Sequence, residues 1–255
     1  MYQAVVFFDL DGTLMQDDKT VATSSVRAIQ QLRANHILSV IATGRNVFEV
    51  QDVMAATGID SIVSANGSYV AYQGQFLSAH ELDKDLLTDI THFANRQQNA
   101  LAYYNNAGFA LSHRDALTTS NYRALRQTAR VIPHFYQHQH INFLLTFDSL
   151  NAAQYQQRYR GRLHFVRNNP RALDTMQWGV SKAVGIQDIL TKAHLTKVPT
   201  YAFGDQLNDI EMFRMVQTPI AMGNGHPRVK QLARYVTADN MHDGIAKGLR
   251  HFELI

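Results

Sequence analysis

The sequence predicts an α/β fold: a doubly wound, mostly parallel sheet with an inserted α+β domain. Short apolar runs rich in Val, Ile and Phe recur near both ends of the chain, as in strands that are buried on both faces. Stretches with helical spacing of apolar residues separate these runs, and this alternation is typical of a doubly wound core. A middle region of different composition divides the two ends and predicts the insertion.

The apolar runs predict the strands of the core. Each is too short for an average helix and is rich in residues that favour strands. The predicted strands span 4–8, 37–42, 62–65, 198–203 and 219–222.

Two stretches between these strands predict helices. Residues 25–32 place apolar side chains on one helical face, and Ser24 or Ser25 is the expected N-cap. Residues 184–193 repeat the spacing, with Ser181 as the expected cap.

The middle of the chain predicts a separate α+β domain at 82–176, a region rich in Gln, Asn, His and Tyr. The core is then expected at 1–81 and 177–255, with linkers near 79–82 and 176–179. A hairpin around Gly74 is expected just before the insertion. The elements predicted from the hairpin onward are strands at 69–72 and 76–79, a helix at 83–95, and strands at 100–104, 109–112 and 141–147.

Composition limits the class of protein. The 255 residues suit one core with an insertion, and 45% apolar and 18% charged residues are ordinary for a globular chain. The net charge of +3 comes without a long Lys/Arg run, so no nucleic-acid partner is expected. The chain has no cysteine, which excludes disulfides, thiolate catalysis and zinc–sulfur sites. No apolar segment approaches the ~20 residues of a membrane span, so we expect no membrane partner and a cytoplasmic protein.

The strongest local pattern is Asp9–Leu14, which directly follows the first predicted strand. Asp9 and Asp11 are two residues apart, so on an extended segment they point the same way, and ligands of open α/β sheets bind beyond such strand ends. Two close carboxylates repel unless a hard cation such as Mg²⁺ or a shared proton intervenes. The alternatives are a plain Asp-Gly turn and a calcium loop, but a calcium loop needs glycine where Leu14 stands.

Three further patterns lie at other strand ends or helix starts. Thr43 and Gly44 follow the second strand, where a hydroxyl and free N–H groups can bind an anion. Lys182 starts a predicted helix, a position that a bound phosphate would favour, although a lone Lys is usually a solvated surface residue. Asp205 and Asp209 follow a late strand and share a helical face, which completes a candidate metal site.

Together, the four patterns resemble the motifs of the haloacid dehalogenase-like (HAD) superfamily. Asp9–Leu14 is similar to its first motif, Thr43 to its second, Lys182 to its third and Gly204–Asp209 to its fourth, in the same order. The insertion between the second and third motifs resembles the α/β cap of the Cof-type branch. The resemblance covers nearly the whole chain and implies a Rossmann-like HAD core.

The resemblance also implies roles for these residues. Asp9 attacks a phosphate monoester and forms an aspartyl phosphate, and Asp11 acts as the general acid and then the general base. Mg²⁺ is held by the Asp9 carboxylate, the Asp11 carbonyl and Asp205. Asp209 supports the metal or orients Lys182. The residues expected around the phosphate are Thr43, Gly44, Lys182 and Asn208.

The implied function is a Mg²⁺-dependent phosphatase that acts on small phosphorylated metabolites. Sugar phosphates come first among the expected substrates, followed by flavin mononucleotide and pyridoxal phosphate. One alternative is a phosphotransferase similar to phosphomannomutases, and another is a regulatory protein that keeps the fold without the activity. The sequence leaves the physiological substrate and the oligomeric state open.

Overall fold

The computed structural model of the chain describes residues 2–167 and 169–255. It divides into two compact units. The first, named here the core unit, takes the chain up to Ser78 and again from Ser181 to Ile255. The second, the insert unit, is Ala79–Val180. Each unit has a sheet and an apolar core of its own.

Strands and helices follow one another along the chain. The strands are β1 (Ala4–Phe8), β2 (Ile37–Ala42), β3 (Ile62–Ser64), β4 (Tyr69–Tyr72), β5 (Gln75–Ala79), β6 (Leu101–Asn105), β7 (Gly108–Leu111), β8 (Phe143–Thr146), β9 (Leu163–Arg167), β10 (Leu173–Gln177), β11 (Thr200–Gly204), β12 (Thr218–Ala221) and β13 (Tyr235–Val236). The α-helices are α1 (Thr23–Ala34), α2 (Gln51–Thr57), α3 (Lys84–Arg96), α4 (Ala116–Ala124), α5 (Phe135–His138), α6 (Ala152–Arg158), α7 (Lys182–Lys192), α8 (Ile210–Met215), α9 (Pro227–Lys230) and α10 (Gly244–His251).

The core unit is built on an eight-stranded sheet with the order β13-β12-β11-β1-β2-β3-β4-β5. Pairing is parallel from β13 to β3 and antiparallel between β3 and β4. Strand β1 therefore lies in the middle of the sheet, between β11 and β2. This arrangement confirms the predicted doubly wound, mostly parallel α/β core.

Strand β1 shows why the core strands are apolar throughout. Successive side chains of a strand point to opposite faces of its sheet. Val6 and Phe8 belong to the apolar cluster on one face, together with residues of α1 and α10. Val5 and Phe7 belong to the cluster on the other face, together with residues of α7 and α8. Because helices cover both faces, neither set of side chains can be polar.

The predicted cap of α1 is wrong. The helix begins at Thr23, Ala22 stands at the N-cap position, and no side chain caps the helix. Ser24 Oγ instead donates a hydrogen bond to Asp243 Oδ1 at 2.5 Å, and Ser25 is buried. Ser181 stands at the N-cap of α7 as expected, but its side chain makes no capping bond.

The insert unit contains a five-stranded sheet with the order β7-β6-β8-β10-β9, in which each pair of neighbouring strands is antiparallel. On one face, Tyr103 and Leu144 belong to an apolar cluster with residues of α3 and α6. Elsewhere in the unit, Tyr104 stacks on Phe109, which stacks on Tyr122 of α4. Among the described residues of both units, no helix is long and apolar enough to cross a membrane.

A close backbone contact fixes the start of α7 in the core unit. Gly67 follows β3 with a φ of +96°, in the left-handed region that favours glycine. A Cβ atom at this position would lie 2.1 Å from the carbonyl oxygen of Ser181, the residue before α7. The turn after β3 therefore packs directly against the backbone that carries Lys182.

Gly67→Ala should destabilise the protein, because it adds both backbone strain and an overlap with a main-chain atom. We expect a loss of roughly 2–5 kcal/mol in the free energy of unfolding, measured by urea denaturation. Gly108→Ala is the control, since no atom lies within 4 Å of a Cβ there, and its effect should stay within about 0.5 kcal/mol. Equal losses in the two variants would contradict the proposed contact.

Candidate active site

The candidate site lies at the carboxyl ends of three neighbouring parallel strands. Phe8 of β1 pairs with Ile41 of β2 and with Phe203 of β11. The ladder continues one residue further, because the Asp9 N–H donates to the Phe203 carbonyl at 3.0 Å. The side chains that follow these strands therefore start from one edge of the sheet, as the strand-end rule predicts.

Lys182 forms the centre of the site. Its Nζ lies 2.5 Å from Asp9 Oδ1 and 2.7 Å from Asp209 Oδ1. All three side chains are buried, and the exposed fraction of Lys182 is 1%. The reading of Lys182 as a solvated surface residue is therefore excluded. A buried ammonium requires charged partners, and the two carboxylates supply them.

Asp209 also holds the loop that carries Asp205. Its Oδ2 atom accepts hydrogen bonds from the main-chain N–H groups of Asp205 at 2.9 Å and Gln206 at 3.0 Å. Gly204 allows this approach, because a Cβ there would lie 2.6 Å from the same oxygen. Asp209 thus orders both Lys182 and the loop after β11.

Asp205 completes a group of three buried carboxylates. Oxygen atoms of Asp9, Asp205 and Asp209 all lie within 4.8 Å of one another. Thr13 Oγ1 donates to Asp205 Oδ1 at 2.9 Å and fixes the orientation of that carboxylate. A Cβ atom on Gly12 would lie 2.5 Å from Asp205 Oδ2, so the loop after β1 packs directly on Asp205.

Burial and neighbouring charges shift the pKa values of Asp205, Asp9 and Lys182. Burial, reinforced by the charge of Asp209, raises the pKa of Asp205 to about 6. Burial also raises the pKa of Asp9, although the ammonium of Lys182 opposes this effect. Burial alone would lower the pKa of Lys182, but the carboxylates of Asp209 and Asp9 outweigh it and raise that pKa. Burial therefore favours the neutral forms of Asp9 and Asp205, whereas the two carboxylates beside Lys182 favour its charged form.

The donor set fits a hard divalent cation. Three carboxylates against one ammonium leave two negative charges in a buried space. The ligand atoms that these side chains offer are all oxygens, which Mg²⁺ prefers. A divalent cation among these oxygens would offset the remaining charge and favour the ionised carboxylates.

The carboxylate of Asp11 lies outside this group and binds two cations. Arg45 donates from Nε to Oδ2 at 2.7 Å and from Nη2 to Oδ1 at 2.6 Å, a bidentate pair. Lys19 Nζ lies 2.9 Å from Oδ1. Burial alone would raise the pKa of Asp11, but Arg45 and Lys19 outweigh it and hold that pKa below its ordinary value.

The residues predicted to bind phosphate lie on neighbouring segments. Thr43 N–H donates to the Val63 carbonyl at 2.8 Å, and Thr43 Oγ1 accepts from the Arg45 N–H at 3.1 Å. A Cβ on Gly44 would meet the side-chain amide of Asn66 at 3.2 Å, and Asn208 Nδ2 donates to that amide oxygen at 3.4 Å. The roles assigned to Thr43, Gly44 and Asn208 stay predictions.

The sequence patterns assigned no role to Arg45, Lys19 or Thr13. The sequence did contain an indication for Arg45, because this residue directly follows Thr43 and Gly44 at a strand end. The sequence contained no indication for Lys19, because its side chain reaches Asp11 only through a turn in which Lys19 has a φ of 71°. Thr13 lies within the quoted first motif, but its partner Asp205 is 192 residues away in the chain.

Asp205→Asn should stabilise the metal-free protein at neutral pH. The pKa of Asp205 is about 6 in the folded protein and 3.8 ordinarily. The folded state therefore binds the proton more tightly, and stability from this group is present at low pH and lost as pH rises through about 6. In chelator at pH 7 the variant should melt at a higher temperature than wild type, and the difference should shrink toward pH 4.

Added Mg²⁺ should reverse the order of the melting temperatures at pH 7, because only wild type keeps the full set of carboxylates. Asp148→Asn is a matched control: Asp148 is buried and accepts hydrogen bonds from two main-chain N–H groups in the insert unit. This control should not respond to Mg²⁺ beyond the wild-type response. A pH-independent difference for Asp205→Asn would contradict the shifted pKa.

Comparison with known proteins agrees with this geometry. The family model described as haloacid dehalogenase-like hydrolase matches residues 6–249. The 5-amino-6-(5-phospho-D-ribitylamino)uracil phosphatase YcsE of Bacillus subtilis is 25% identical over 254 residues, which cover 98% of this chain and 96% of that protein.

Two solved structures match over almost their whole length. A protein from Geobacillus kaustophilus HTA426 is 33% identical, with a TM-score of 0.91 and coverage of 98% of this chain and 99% of that one. The HAD subclass IIB sugar phosphatase BT4131 has a TM-score of 0.87 at 22% identity, with coverage of 98% and 99%, and shows a shared fold. The chain therefore belongs to the haloacid dehalogenase-like hydrolases, which confirms the family resemblance that the four motifs indicated.

Proposed function

We propose that the chain is a Mg²⁺-dependent phosphatase that hydrolyses small phosphorylated metabolites through a phosphoryl group on Asp9. The observation that carries this proposal is the buried contact of Asp9 with Lys182 at 2.5 Å, next to Asp205 and Asp209. A nucleophilic carboxylate, a cation for the transferring oxygens and a hard-metal site are the parts that phosphoryl transfer requires.

In the first step, Asp9 attacks the phosphorus atom and the alkoxide of the substrate leaves. Lys182 reaches the Asp9 carboxylate and can neutralise charge on the phosphoryl oxygens as they pass to it. Asp209 holds Lys182 from the other side, so the ammonium is fixed before substrate binds. Thr43 and the Gly44 N–H are the proposed further donors to the phosphoryl oxygens.

Asp11 is the proposed acid for the leaving oxygen and the base for water in the second step. Its lowered pKa favours the carboxylate, which is the form that takes a proton from water. The same contacts with Arg45 and Lys19 oppose protonation. We therefore expect substrate to loosen at least one of these contacts before Asp11 donates its proton.

Asp9, Asp205 and the Asp11 main-chain carbonyl are the proposed ligands of Mg²⁺. Bound Mg²⁺ would neutralise the phosphate and fix it in line with the nucleophile. Asp209 already accepts hydrogen bonds at both oxygens, so we assign it to orienting Lys182 and the Asp205 loop. Asn208 is assigned to the surroundings of the phosphate through its contact with Asn66.

Sugar phosphates are the proposed first substrate class. The relative YcsE takes its name from a compound whose phosphate sits on a ribityl chain, a sugar-derived leaving group. Flavin mononucleotide also carries its phosphate on a ribityl chain, and pyridoxal phosphate is the next compound to test. A phosphotransferase and a regulatory protein with the same fold are the alternatives. The complete set of charged side chains at the strand ends favours an enzyme over the regulatory protein.

The test is phosphate release from a panel of sugar phosphates, flavin mononucleotide and pyridoxal phosphate. Wild type should release phosphate with Mg²⁺ and not with chelator. Asp9→Asn keeps the shape of the side chain but removes the nucleophile, so release should fall at least 10³-fold. Asp148→Asn, a buried carboxylate change in the insert unit, should retain wild-type rates.

The outcomes separate the alternatives. Release without an added acceptor supports hydrolysis, whereas phosphoryl transfer that needs a second sugar phosphate would favour the phosphotransferase. Equal release by wild type and Asp9→Asn would refute the assignment of Asp9. No release from any compound would favour the regulatory protein.

A further inference from the structure

Two asparagines from the C-terminal part of the core unit bind the loop that carries Asp11. Asn224 Nδ2 donates to the Gly12 carbonyl at 2.8 Å. Asn240 Nδ2 donates to the Met15 carbonyl at 3.0 Å and to Asp17 Oδ1 at 3.1 Å. We name this pair, Asn224 and Asn240, the asparagine clamp. Its contacts join parts of the chain more than 200 residues apart.

The side-chain amide of Asn224 makes hydrogen bonds through both its oxygen and its nitrogen. Its Oδ1 accepts from the main-chain N–H of Asn240 at 3.2 Å, while its Nδ2 donates to Gly12. The orientation of the amide is therefore defined by its two partners. A carboxylate of the same shape could keep the first contact but would place an oxygen against the Gly12 carbonyl.

The segment that contains Asn224 also holds Asp205. The His226 N–H donates to the Asp205 carbonyl at 2.7 Å. A Cβ atom on Gly225 would lie 3.3 Å from Asp205 Cα, so the segment packs directly on that residue. Residues 224–226 thus contact the loop of Asp11 on one side and the backbone of Asp205 on the other.

The position of Gly12 matters because Gly12 packs on the Asp205 carboxylate. A Cβ there would meet Asp205 Oδ2 at 2.5 Å, so a small shift of Gly12 changes the space beside this oxygen. Gly12 is also the neighbour of Asp11 in the chain. A displacement of the Gly12 peptide therefore moves the proposed acid and base relative to Asp205.

We propose that Asn224, braced by Asn240, is a positioning residue that sets Asp11 relative to Asp205. The proposal rests on the function proposed above. Asn224 is exposed, so water can replace its hydrogen bonds and the clamp adds little to global stability. Phosphoryl transfer depends on placement, and displacements of about 1 Å can cost on the order of 100-fold in rate. The clamp should therefore affect kcat more than stability.

The experiment compares Asn224→Asp and Asn224→Ala with Asn35→Asp. Asn35 is a matched control, because its Nδ2 also donates to a main-chain carbonyl, that of Leu254, at 2.8 Å. This control lies before β2, at the opposite end of the strands. We expect kcat to fall at least tenfold in both Asn224 variants, with KM and the melting temperature close to wild type. Asn35→Asp should keep wild-type kcat.

A double-mutant cycle tests whether the two asparagines act as one device. Asn240→Ala should lower kcat in the same direction as Asn224→Ala, and the double variant should lose less than the product of the two effects. Amide hydrogen exchange of residues 11–17, in metal-free protein without substrate, should be faster in Asn224→Ala than in wild type. Asn35→Asp should leave this exchange unchanged.

Several results would contradict the proposed role of the asparagine clamp. A raised KM with unchanged kcat would mean that Asn224 contacts substrate, and unchanged kcat with unchanged exchange would mean that it positions nothing. Equal loss of kcat in Asn35→Asp would indicate a general effect. If wild type released no phosphate, the proposed function would fail, and faster exchange confined to the Asn224 and Asn240 variants would still support the clamp.

Discussion

The buried ion pairs of Lys182 with Asp9 and Asp209 are the interaction on which the site depends. Removing either carboxylate would leave the buried ammonium of Lys182 short of one partner, and breaking a buried ion pair in this way typically costs about 3–5 kcal/mol. The same two contacts place the ammonium at the proposed nucleophile before any substrate arrives. Asp209 then links this pair to Asp205 through its second oxygen. The same side-chain atoms therefore contribute both to the stability of the fold and to the proposed chemistry.

The topology of the core unit brings these groups together from distant parts of the chain. Asp9 directly follows strand β1, and Asp205 and the loop to Asp209 follow its neighbour β11. Lys182 comes from the start of α7, which the turn at Gly67 holds against the sheet. The net charge that results is negative and suits a divalent cation. The ion pairs of Lys182 therefore depend on a parallel sheet that aligns the strand ends, on helices that bury both faces of this sheet, and on glycines where two segments approach closely.

The sequence predicted strands β1 to β8, β11 and β12 and the type of the core sheet from periodicity, and the rule for strand ends grouped Asp9 with Asp205. It did not predict β9, β10 or β13, and Lys182 joined the group only through the family resemblance. It did not predict the contacts of Asp11 with Arg45 and Lys19. The position of Arg45 after a strand end was an indication of a role, but the path that brings Lys19 to Asp11 depends on how an irregular loop turns, which no spacing in the sequence encodes. The wrong cap of α1 has a similar cause, since tertiary contacts decided where the neighbouring serines point.

The most direct test of the account is a search for the phosphoryl group on Asp9. Asp11→Asn should be incubated with Mg²⁺ and acetyl phosphate, whose leaving group needs no acid, so that only the second step lacks its base. After acid quench and peptide mass mapping, the account predicts one added phosphoryl group on the peptide that contains Asp9. The same treatment of Asp9→Asn should give none. A phosphoryl group on another residue, or turnover by Asp11→Asn at the wild-type rate without any trapped group, would contradict the account.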